Sequence, residues 1–248
     1  MTDPRPTEEG GQELPAGDEP SARSIGKPLA VLRDRPSILA GLPLALLGQT
    51  VVVVVLGSFV VPSEAGLVLL FAPQWIAATT LVGFVLWVER RPLASVGITW
   101  PGWSDLPLGI GGAVVGLATL PVTIPLRDAL GLGTNEGFLS MLVQLPLWAV
   151  LLVVITAAVT EELLFRAYPI ERLAELTGSA RLAAAVSVVA FMLLHVPAWG
   201  VGHLVTIGGI TIVLTLLYLR CRRLGPVVVM HFLSNFVLLI VVPRLGSF

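Results

Sequence analysis

Seven long apolar blocks decide what this chain can fold into. They run roughly over residues 38–61, 67–88, 106–126, 142–164, 182–197, 204–219 and 226–242. A bilayer core about 30 Å thick takes about 20 apolar residues per helix, and several of these blocks reach that length. A water-soluble core needs no such runs. Only 12% of the 248 residues are charged and 55% are apolar, against about 25% charged in soluble domains. The fold class is therefore all-α, a polytopic transmembrane helix bundle of about seven spans. The fifth and sixth blocks are short for full spans and read as beginning or ending in the interface.

Residues 1–36 are rich in Pro, Gly, Glu and Asp and show no apolar period. Such a stretch cannot bury enough apolar surface to offset its ordering entropy, so it reads as a disordered cytoplasmic tail. Residues 37–248 read as one transmembrane domain whose informative core is about 140–242. Of the 15 Lys and Arg, only Arg127 and Arg244 fall in segments that would be outside if the N-terminus were inside. The other 13 would be inside, so the positive-inside rule puts the N-terminus in the cytoplasm. Net charge is −1, which offers no basic field for nucleic acid. The single cysteine, Cys221, can form neither an internal disulfide nor a cysteine metal cage. Gly109, Gly112, Ala113 and Gly116 give the third block a small-residue face of the kind that lets helices approach closely.

Ionisable side chains inside apolar helices cost at least about 2.5–3.5 kcal/mol each at the centre of the bilayer, so those that persist point to a function. In AVTEELLFRAY, Glu162 and Arg166 are four apart and share a helix face, which leaves Glu161 free for another purpose. In AFMLLHVP, Phe191 and His195 lie one turn apart. In VVVMHFLSNF the same holds for His231 and Asn235. His203 has no such companion and reads as interfacial. Taken singly, each group has a structural explanation as a salt-bridged helix end or an interhelical hydrogen bond. Together, a carboxylate, two imidazoles and an amide on three helices are the set that hydrolysis needs. A carboxylate can take a proton from water while a His orients it. A second His and an Asn can donate hydrogen bonds to the oxyanion.

The spacings EExxxR (Glu161 to Arg166), FxxxH (Phe191 to His195) and HxxxN (His231 to Asn235) resemble those of the CPBP family. These are CAAX-prenyl-protease and bacteriocin-processing membrane peptidases, also called Abi proteins. The resemblance covers roughly residues 140–242. It implies an intramembrane endopeptidase with a cavity open to the cytoplasmic side. Glu161 and His195 would activate water there, and His231 and Asn235 would stabilise the oxyanion. Glu162 and Arg166 would hold the first motif in place, and Phe191 belongs to the second. The substrate would be a peptide or a lipid-anchored protein, met among the lipids of a bacterial plasma membrane. No cofactor is expected, although Glu161, His195 and His231 could also form a two-His, one-carboxylate zinc site. The competing reading is a non-catalytic immunity or adaptor protein using the same cavity. A proton-coupled transporter is disfavoured, because the chain has no inverted repeat.

One geometric tension follows. If Arg166 and Arg181 both lie at the inner surface, Glu161 is only about 7 Å deep, whereas His195 lies about 21 Å beyond Arg181. For the two to meet, the helix carrying His195 must start outside the bilayer or tilt. Pro169, which predicts a helix break followed by an amphipathic segment along the inner surface, fits such an arrangement.

Overall fold

The computed structural model describes residues 36–57 and 64–245, without the side chains of residues 49–57 and 64–70. Residues 1–35, most of the expected tail, lie outside it. Every regular element among the described residues is helical. The longer helices are α1 (Pro36–Gly57), α2 (Glu64–Gly83), α3 (Asp105–Leu117) and α4 (Leu120–Ala129). They are followed by α5 (Glu136–Val143), α6 (Leu147–Glu161), α7 (Tyr168–Thr177) and α8 (Ala180–Trp199). The series ends with α9 (Val201–Cys221), α10 (Leu224–Phe236) and the short α11 (Val242–Arg244). Six stretches among the described residues are long and apolar enough to cross a membrane, and α1 adds a further apolar helix. The chain is a multi-pass helical membrane protein.

The third apolar block is two helices. α3 stops at Leu117, where the Thr119 hydroxyl donates to Gly116 O, and Pro121 opens the first turn of α4. The blocks expected to be short become full-length α8 and α9, of 20 and 21 residues. Only Gly200 separates them, at φ +81° with the backbone of residues 133–135 packed against it. A side chain there would meet both a strained conformation and a backbone wall. The short α5 sits ahead of α6, its Asn135 side chain capping Phe138 N.

The expected break at Pro169 is absent. α6 continues through a π-helical turn, Glu162–Ala167, directly into α7, giving one stretch from Leu147 to Thr177. Inside an α-helix, proline lacks the N–H that would bond four residues back. The carbonyl so released is that of Phe165, and the Ser187 hydroxyl of α8 donates to it. The neighbouring Ala167 carbonyl accepts from Tyr218 at 3.2 Å. The helix survives its proline because Ser187 of α8 supplies the missing donor.

α7 also departs from the expected surface segment. Tyr168, Ile170, Arg172 and Leu176 are buried. Arg172 is 2% exposed and donates to Glu89 at 2.6 Å and to Ser95, while Tyr168 donates to Glu89 at 2.8 Å. This network fastens α7 to the end of α2. Arg91–Glu175 and Arg222–Glu171 pairs lie around it. A tight turn, with Gly178 at φ +69° and Ser179 capping Leu182 N, then sends α8 back antiparallel.

That turn resolves the depth problem. Arg166 is wholly buried within the bundle and does not mark the inner surface. Measured from the turn, Glu161 stands 16 residues before Thr177 and His195 stands 15 after Ala180. These are rises of about 24 and 22 Å, so the two side chains lie at about the same distance from the turn.

Candidate active site

Each expected site residue is set by its helix. Glu161 ends α6, and the π-turn begins at Glu162. The widened turn lets consecutive glutamates serve different partners. Glu162 Oε1 accepts from Arg166 at 2.9 Å and from His231 Nδ1–H at 2.7 Å. Arg166 also lies over the Phe191 ring, 3.9 Å from its centre, a cation–π contact that helps offset its burial. The first two motifs are thus interlocked through Arg166 and Phe191, and the first and third through Glu162.

The two histidines face Glu161 in the same way. His195 Nδ1–H donates to Phe191 O one turn earlier, at 2.8 Å. His231 Nδ1–H is held by Glu162. Both rings therefore turn Nε2 inward, His195 at 4.0 Å and His231 at 3.9 Å from Glu161 Oε2. These gaps exceed direct hydrogen-bond length and fit a single bridging water at each. With its Nδ1 proton committed to Phe191 O, a neutral His195 ring has its Nε2 lone pair available to that water.

Glu161, Phe191, His195, His231 and Asn235 all line one cavity of about 520 Å³, within the range of small-molecule and peptide pockets. Its upper wall is largely apolar, including Leu120, Ile124, Phe138, Leu139, Trp199 and Ile207. Glu162 and Arg166 support the site from outside this lining.

Two lining residues carry signals that the sequence reading did not use. His203 is not simply interfacial: its ring stacks on Trp199 at 4.5 Å and parallel to His195 at 6.0 Å. Its spacing of eight from His195, two helical turns in a continuous helix, would have suggested a shared face. Gln74 is a polar residue in the second apolar block and lines the cavity, with its Oε1 3.4 Å from the Thr160 hydroxyl beside Glu161.

Zinc would hold N and O donors about 2.0–2.2 Å away, which places tetrahedral ligands about 3.4 Å apart. The separations of 3.9 and 4.0 Å from Glu161 to the two histidines are wider. Among the described residues no group of three His, Cys, Asp or Glu is arranged to hold a metal ion.

Residues 143–237 match the family described as Rce1-like, type II CAAX prenyl endopeptidase. No curated protein and no solved structure matches the chain. Over that segment, which holds every motif residue from Glu161 to Asn235, the chain is similar to the Rce1-like membrane proteases.

Proposed function

We propose that the chain is an intramembrane endopeptidase acting on a membrane-associated or lipid-modified polypeptide, with metal-free water activation. The observation that carries this reading is the placement of Glu161 Oε2 within 4.0 Å of both inward-facing Nε2 atoms, at the wall of a cavity. Glu161 takes a proton from a water whose second hydrogen is held by His195 Nε2, and the water oxygen attacks the peptide carbonyl carbon. Negative charge develops on the carbonyl oxygen. Asn235 donates to it from its amide, and His231, in its cationic form, donates from Nε2–H. Glu161 returns its proton to the amide nitrogen, the C–N bond breaks, and a carboxyl and an amine terminus result. Glu162 and Arg166 contribute by holding His231 and the π-turn.

The test compares peptide termini in membranes carrying the wild type or Glu161→Gln at matched expression. New termini are expected only with the wild type, and they are expected to persist after treatment with a strong chelator. Identical profiles across well-sampled membrane proteins would instead support a binding or immunity protein that keeps the cavity without cutting.

A further inference from the structure

Four polar side chains in the cavity wall come from the motif helices: Glu161 from α6, His195 from α8, and His231 and Asn235 from α10. A further one, Gln74, comes from α2, which carries no motif residue. A primary amide in an apolar helix needs a reason, because polar groups facing lipid tails go unsatisfied. The usual reason is a hydrogen bond that holds two helices together.

Gln74 fills that role poorly. Its Oε1 lies 3.4 Å from the Thr160 hydroxyl, beyond the usual O–H···O length of about 2.5–3.0 Å. The single proton of that hydroxyl already goes to Thr156 O, at 2.7 Å. The next residue holds α2 to α6 instead, Trp75 Nε1–H donating to Thr156 Oγ1 at 3.0 Å. Thr156 and Thr160 are fully buried and one turn apart, so consecutive residues of α2 meet consecutive turns of α6. This keying sets Gln74 beside Thr160, the residue before Glu161. With Oε1 turned to Thr160, the Nε2 amino group is left over. It carries two N–H donors and has no acceptor among the described residues, in the wall of the cavity.

We propose that Gln74 is a substrate-binding residue whose amide N–H donates to a main-chain carbonyl of the peptide, beside the bond that is cut. A peptide lying extended in the cavity brings unpaired carbonyls against a wall that is largely apolar, where an unpaired carbonyl is unfavourable. Asn235 is assigned to the oxyanion, which leaves Gln74 as the amide for this contact. The contact is made alike before and during attack, so it lowers KM and leaves kcat unchanged. The role rests on the proposed peptidase function.

The probe is an internally quenched peptide spanning the strongest Glu161-dependent terminus found in membranes. Gln74→Met keeps the length of the side chain without its amide, and Gln74→Leu is a second apolar variant should the first not fold. Each is expected to raise KM about five- to tenfold, the range of one neutral hydrogen bond, with kcat within about twofold of the wild type. Thermal unfolding in detergent should not shift, since Trp75 still holds α2 to α6. A second measurement separates binding from a structural role. Thioamide sulfur accepts hydrogen bonds more weakly than carbonyl oxygen, and it replaces in turn the carbonyl one residue before and one residue after the scissile one. One of the two replacements is expected to raise KM for the wild type and to leave Gln74→Met unaffected, because both changes remove the same contact. Unchanged KM in both variants, a fall in kcat at constant KM, or equal thioamide effects in wild type and variant would each overturn the proposal alone. Absence of any Glu161-dependent terminus would overturn it together with the peptidase reading.

Discussion

Glu161 and Glu162 are chemically identical neighbours with opposite expected responses to the same substitution. Glu162 is fully buried, and its Oε1 is shared by Arg166 and His231. Glu162→Gln would leave the buried guanidinium of Arg166 without its anion. Breaking a buried pair in this way costs about 3–5 kcal/mol. Thermal unfolding in detergent should show a large loss of stability, and cleavage should fall with it, since His231 loses the acceptor that orients it. Glu161 has its two histidine neighbours only at water-bridging distance. Glu161→Gln should therefore change stability by less than about 1 kcal/mol while abolishing cleavage. A Glu161→Gln protein that unfolds as readily as Glu162→Gln would mean that Glu161 is structural. The pairing of Glu162 with Arg166 was legible in the sequence, because a spacing of four puts the two on one helix face. The sequence could not show that Glu162 also holds His231, 69 residues away.

The π-turn is the element that the sequence hid, and it explains the main misreadings. A proline in an apolar helix predicts a break, and an arginine near a helix end predicts a surface. Both expectations assume that Pro169 and Arg166 must find their relief within their own helix or in water. Here the relief comes from other helices: Ser187 for the Phe165 carbonyl, and the Phe191 ring for part of Arg166. The same distance in sequence hid α5, whose eight residues are too few to announce a helix beside the longer blocks. The motif residues themselves were legible, because a buried polar group in an apolar run stands out in one dimension. Ser187→Ala would test the turn. It leaves a buried carbonyl without its donor, at a cost of about 1–3 kcal/mol. The lowered stability should be accompanied by faster hydrogen exchange at residues 162–170. Unchanged exchange there would show that the turn persists without the hydroxyl.

At the scale of the whole molecule, the motif-bearing helices depend on helices that carry no motif residue. In a bilayer, apolar burial gives little drive for helix association, so close fit must supply it. α3 provides that fit to α10, the helix of His231 and Asn235. A Cβ added at Gly109 would stand 2.4 Å from Val229 Cγ1 and 2.9 Å from Pro226 O, and one at Gly112 would stand 2.7 Å from Met230 Sδ. Pro226 O is backbone, so α3 and α10 would have to separate. Gly111, on the same helix, has nothing within 4 Å of such an atom. The two positions share a helix and a residue type, so intrinsic propensity affects them alike: Gly→Ala in a helix interior favours the helix by about 1 kcal/mol. Gly111→Ala should therefore keep or slightly raise stability and leave cleavage unchanged. Gly109→Ala should lower both, because displacing α10 by even part of an ångström moves His231 Nε2 from its 3.9 Å station opposite Glu161. Catalytic geometry is sensitive at that scale, with about 1 Å of misplacement able to cost about 100-fold in rate. Equal behaviour of the two variants would mean that α10 is held by something other than the close approach of α3.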